Sequence, residues 1–142
     1  MSTERPRSIP EGLVVELSRS KILPGKEREA DRWMAMINER YDECIESLDR
    51  ERMAVECAFR FREEGPEYIY WMSIYGEDGS GLDLTNPLDR DLQDQATLCK
   101  EPGWADAEPQ FLLLPEPVKR ALLAWALRQA PGSTTSAPPS KG

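Results

Sequence analysis

A chain of 142 residues with 39 % apolar and 31 % charged residues has the size and composition of one globular domain with its own core. Its net charge of −8 offers no basic stripe for phosphates, so neither a nucleic-acid partner nor an anionic membrane surface is expected. Histidine is absent and Cys44, Cys57 and Cys99 form no Cys-x-x-Cys pair, which excludes histidine-based triads, His-ligated haem and the common zinc and redox sites; no metal or other cofactor is expected.

Residues 1–12 are polar, hold Pro6 and Pro10, and lack the apolar stretch of a signal peptide, so they are expected to be a flexible leader. No run reaches the roughly 18 apolar residues of a membrane span, and reduced thiols suit the cytoplasm. Residues 13–22 alternate as a first strand, with Val15 and Leu17 on one face and Glu16, Ser18 and Ser20 on the other. Pro24-Gly25 ends it. A single long helix is predicted over 26–48, with the apolar stripe Ala30, Trp33, Met34, Ile37, Tyr41, Cys44, Ile45 and Leu48 at steps of three and four.

Residues 53–62 alternate as a second strand, Glu63-Glu64-Gly65-Pro66 supplies a turn, and 68–75 (Tyr68 to Tyr75) read as a central strand of the same hairpin. The acidic loop Gly76 to Asp83 lacks both the alternating ligands of a calcium loop and the Gly-Lys-Ser/Thr of a phosphate loop. Asn86 as N-cap and Pro87 at the first helical position open a helix whose apolar face is Leu88, Leu92, Ala96 and Cys99. Residues 110–114 are predicted as a short strand, and Pro117 opens a last helix through about Gln129 that is apolar around most of its circumference. Residues 131–142 lack the apolar side chains to fold and are expected to be a disordered tail, leaving 13–130 as the domain.

The order β-α-β-β-α-β plus a terminal helix predicts an α+β, ferredoxin-like domain, with helices on one face of a four-stranded antiparallel sheet. Its other face needs a covering layer, which a second copy of the chain can supply. The segment Leu23-Pro24-Gly25-Lys26-Glu27 closing the first strand, followed by a long helix with Trp33-Met34 and Glu43, resembles the dimeric α/β-barrel superfamily that includes the antibiotic-biosynthesis monooxygenases. The nearer likeness is to an uncharacterised bacterial branch, a domain-of-unknown-function family, over about residues 13–100. The resemblance implies a homodimer with a cavity between sheet and helices and brings no activity; the haem-binding relatives need a histidine that this chain lacks.

With the turn centred near Glu64–Gly65, Phe61 pairs with Tyr68, Phe59 with Tyr70 and Cys57 with Met72. Glu56 and Arg60 then share a face with Trp71, Ser73 and Tyr75, joined by Glu16 and Ser18 from the first strand, and this is expected to be the surface the helices leave open. On such a site Arg60 binds a carboxylate or enolate oxygen, and Glu56 or Glu16 is a desolvated general base. Ser18 and Ser73 supply hydroxyls, and Trp71 and Tyr75 stack on a flat substrate. The plainer alternatives are a Glu56–Arg60 ion pair across the sheet and aromatics that only fill a core or an interface. The function expected is binding of an apolar or aromatic small molecule, with cofactor-independent cyclisation, isomerisation or oxygenation in secondary metabolism as its chemistry; the alternative is a non-catalytic accessory or protein-interaction module.

Overall fold

The computed structural model describes residues 5–62 and 64–128. The chain runs β1 (Leu13–Lys21), α1 (Glu27–Glu39), α2 (Tyr41–Glu51), β2 (Met53–Arg62), β3 (Glu67–Gly76), α3 (Pro87–Cys99), β4 (Ala105–Asp106) and α4 (Glu116–Ala126). The strands form one antiparallel sheet in the order β2-β3-β1-β4. That order, with β1 and β3 central, is the expected ferredoxin-like α+β arrangement. The hairpin register is also the expected one: Phe61 faces Tyr68, Phe59 faces Tyr70 and Cys57 faces Met72, with a bulge between Met53 and Val55.

Two apolar clusters lie on opposite sides of the sheet. On one side Ile22 and Ile69 pack against Ala30 and Trp33 of α1 and Ala96 and Cys99 of α3. On the other, Leu13 and Ile74 pack against Leu122 and Ala126 of α4 and against Ile9, which is buried ahead of β1. The α3 start matches its sequence grammar: the Asn86 side chain accepts from the N–H groups of Leu88 and Asp89 at 2.9 and 3.2 Å, and Pro87 follows it.

Four expectations are corrected. The predicted long helix is two, because Arg40 leaves helical geometry (φ −101°, ψ 39°), where its guanidinium binds Glu43 at 2.7 Å and Asp91 of α3 at 2.8 Å. Beyond that break the apolar stripe stops serving the core: Tyr41 and Ile45 are exposed and α2 has no fully buried residue. Residues 110–114 are not a strand. Proline brackets the segment at 109 and 115, and Leu112 and Leu114 turn inward to the α4 cluster while Phe111 and Leu113 face outward; the fourth strand is the short β4, extended by an isolated bridge between Ile22 and Lys100.

The last helix is amphipathic rather than deeply buried: Leu122 and Ala126 are its buried residues, while Val118 and Trp125 are exposed. Finally, the sheet face carrying Glu56 and Trp71 is the one under α1 and α3, not the open one, because Trp71 and Ala58 pack against the Trp33 cluster. The opposite face is half covered by α4 and leaves Phe59 and Phe61 62 % and 52 % exposed. Among the described residues no helix is long and apolar enough to cross a membrane. The expected tail at 131–142 lies outside the described residues.

Candidate functional site

The alternation of β1, β2 and β3 brings Glu16, Ser73 and Glu56 into one row across three strands, since Ser73 pairs with Glu16 on one side and Glu56 on the other. The next row is Ser18, Trp71 and Ala58. These two rows floor a cavity of about 1020 Å³ between the sheet and the helical layer. The break at Arg40 shapes its roof: α1 contributes Trp33 and Ile37, and α2, bent away, contributes Cys44, Ser47 and Glu51. Leu88 and Leu92 of α3 close the far wall, and the exposed side chains of Leu82 and Trp104 mark the rim.

Aromatic surface organises the interior. Trp33 and Trp71 stack with centroids 5.5 Å apart and planes 22° apart, and Trp104 meets Trp71 edge-on at 6.0 Å. The Trp71 indole N–H donates to Glu56 Oε2 at 2.9 Å. Glu56 is reached by solvent through the cavity yet crowded by its walls, so desolvation pushes its carboxyl up, against the pull of the Trp71 hydrogen bond; Asp89 adds a smaller upward push. No basic side chain pairs with Glu56 among the described residues.

Two carboxylates from the helices also share the cavity. Glu51, at the end of α2, is pushed up to about 7 by burial first and by the negative charges of Glu56 and Asp89, with Arg50 pulling the other way. Asp89 is buried but satisfied: it pairs with Arg50 at 2.9 Å and accepts the Asp83 N–H at 2.8 Å from the preceding loop. Burial and the charge of Glu56 also raise the Cys44 thiol, which keeps it protonated and unreactive. Lys100 lines the cavity, but its ammonium is turned to the Glu101 and Gly103 carbonyls at 2.7 and 3.0 Å and rests over Trp104.

Of the residues singled out from sequence, Glu16, Ser18, Glu56, Trp71 and Ser73 line this cavity together. Arg60 and Tyr75 share the face but not the cavity wall. Arg60 lies beneath α1, where its Nε meets Glu67 and its Nη1 binds Asp31 at 2.8 Å, so the cross-sheet pair with Glu56 does not form. Tyr75 donates its hydroxyl to Glu16 at 3.3 Å, and burial and that carboxylate raise its pKa. Ser18 donates to Asp106 of β4 at 2.7 Å.

Sequence reasoning missed Glu51 and Asp89. The signal for Glu51 was its position seven residues after Cys44, on the continuation of the apolar stripe; Asp89 stands in the first turn of α3, where a carboxylate also suits the helix dipole. Among the described residues no group of three cysteine, aspartate or glutamate side chains is placed to hold a metal ion. No protein of curated function matches the chain. A family profile does match, over residues 13–120, which span both floor rows, both carboxylate-bearing helices and the start of α4: the chain belongs to DUF6176, a family of unknown function.

Proposed function

We propose that this chain binds an apolar or aromatic small molecule between its sheet and helices and acts on it by cofactor-independent proton transfer, with Glu56 as the general base. The observation that carries the reading is Glu56 itself: a carboxylate inside a tryptophan-lined cavity, held by an indole N–H, without a basic partner among the described residues, and with its pKa raised by desolvation. A base tuned upward removes a proton from a carbon acid more effectively near neutral pH, and as the conjugate acid it can return that proton elsewhere on the same substrate. Isomerisation and cyclisation both fit such a step, and oxygenation begins with the same deprotonation. Secondary metabolism, the cytoplasm and a homodimer complete the reading, supported by the likeness to dimeric α/β barrels and the three free thiols.

The test uses 2-tetralone, an aromatic ketone with exchangeable α-protons. Nuclear magnetic resonance in heavy water is expected to show protein-accelerated exchange that Glu56→Gln abolishes, and tetralone titration is expected to shift the Trp71 indole resonance. Exchange equal in the two proteins removes Glu56 as the base. An unmoved indole resonance removes the cavity as a binding site.

A second reading, a non-catalytic accessory or interaction module, is favoured by one observation: Phe59 and Phe61 stand exposed, with Phe61 edge-on to Tyr70, on the face that α4 leaves bare. A Phe59→Asp, Phe61→Asp double variant separates the readings. If that face is the working surface, the variant loses self-association or partner binding in sedimentation while tetralone exchange is unaffected.

A further inference from the structure

The charges that line the cavity are one-sided. Glu16, Glu51, Glu56, Asp89 and Glu101 contribute carboxylates, and Lys100 is the basic lining residue. Arg50 neutralises Asp89 and reaches Glu51 at 3.9 Å, and Lys100 is engaged by carbonyls. Glu16, Glu56 and Glu101 are left without a basic partner among the described residues; the hydrogen bonds of Glu16 and Glu56 come from the neutral donors Tyr75 and Trp71.

Between these two stands Ser73. It is 6 % exposed, lines the cavity, and its hydroxyl makes no side-chain hydrogen bond among the described residues. A hydroxyl on a nearly buried residue that opens only to the cavity is free to meet a polar group of a ligand there. The strand spacing sets the geometry: Glu16 and Glu56 flank Ser73 by one strand each, so their Cβ atoms lie roughly 10 Å apart, with the hydroxyl midway. Two anionic acceptors on either side of a neutral acceptor suit a group that is positively charged and carries several N–H donors. Beside that row, the stacked Trp33–Trp71 pair offers π surface that attracts the same charge and accommodates a flat frame.

We infer that the ligand of this cavity carries a positively charged nitrogen, an ammonium or amidinium, on its aromatic or apolar frame, and that this cation sits over Ser73 between Glu16 and Glu56. The inference rests on the proposed use of the cavity as a binding site and specifies the chemical class that enters it. It also gives the Glu16 carboxylate a task distinct from proton transfer, that of fixing the cation.

The test uses three probes of one shape: 2-naphthylmethylamine, 2-naphthylmethanol and 2-naphthoate, titrated by calorimetry into the full chain at pH 8. The amine is expected to bind about tenfold or more tightly than the alcohol, and the carboxylate weakest, as a charge-assisted contact requires. Glu16→Gln is expected to cut amine affinity several-fold more than alcohol affinity, and Ser73→Ala to weaken both, with circular dichroism confirming the fold. Equal affinity for amine and alcohol, or preference for the carboxylate, overturns the charge assignment while the cavity remains a binding site. Failure of all three to bind a folded protein overturns the cavity reading itself.

Discussion

The Trp71 indole donates to the Glu56 carboxylate at 2.9 Å while its ring stacks on Trp33, so a single side chain both walls the cavity and tunes its acid. The hydrogen bond favours the ionised carboxylate and opposes the desolvation that raises its pKa. Trp71→Phe retains an aromatic ring but removes the donor. The Glu56 midpoint is therefore expected to rise further in carbon-detected titration of the labelled carboxyl. A midpoint that stays or falls would show that the indole does not govern this acid.

Glu51 gives the protein a pH dependence of definite sign. The folded chain holds this proton up to about 7, whereas the unfolded chain releases it near 4.5. Between those values the folded state binds more protons than the unfolded one, so this group's effect on stability worsens as pH rises through that window and is flat above it. Glu51→Gln imitates the protonated form. It is expected to gain about 1 kcal/mol over the parent at pH 8, well short of the full shift because solvent reaches the side chain, and nothing at pH 4. Urea denaturation at the two pH values measures this; a gain of equal size at both would point to something other than the proton.

Arg60 and Glu67 form the least exposed ion pair of the β2–β3 hairpin, with Glu67 only 8 % exposed and Asp31 of α1 adding a second anchor. Removing Arg60 leaves the buried Glu67 carboxylate with only the longer contact to the exposed Arg62 at 3.5 Å. Arg60→Met is expected to cost about 3–5 kcal/mol, and Arg60→Met with Glu67→Leu to recover most of it. Probe binding in the cavity is expected to survive in the double variant, because Arg60 does not line it. Loss of binding with stability intact would return Arg60 to the site.

The face-sharing of Glu16, Glu56, Trp71 and Ser73 was legible because strand alternation and a short turn fix register, and register fixes which side chains meet. What covers that face was not legible. Trp71 beside polar neighbours reads equally well as an interface or as a cavity floor, and only the docking of Trp33 from α1 decides it. The break at Arg40 was hidden too, since no glycine or proline marks it and the apolar stripe runs on unbroken through Tyr41 and Ile45. Its cause is tertiary, a guanidinium bridging to Asp91 some fifty residues along the chain. The segment 110–114 misled for the opposite reason: its alternating burial is real, but it serves the cluster under α4 instead of a ladder.

At Gly76 the sheet meets α4 so closely that there is no room for a side chain. A Cβ built there runs into the carbonyl oxygen of Ala126, which is backbone and cannot turn aside. The Gly76 N–H is also held by the Arg52 carbonyl at 3.1 Å, so β3 cannot easily retreat. Gly76→Ala must therefore lift the end of α4, loosening Leu122 and Ala126 from Leu13 and Ile74. The expected cost is about 2 kcal/mol, typical of forced overpacking. Trp125 reports the movement, because its indole N–H donates to the Met53 carbonyl at 2.9 Å and that bond should be lost, with a red-shifted emission. The cavity lies on the other side of the sheet, so probe affinity is expected to hold. Parent-like stability and emission in the variant would mean that α4 does not seat on β3 as described.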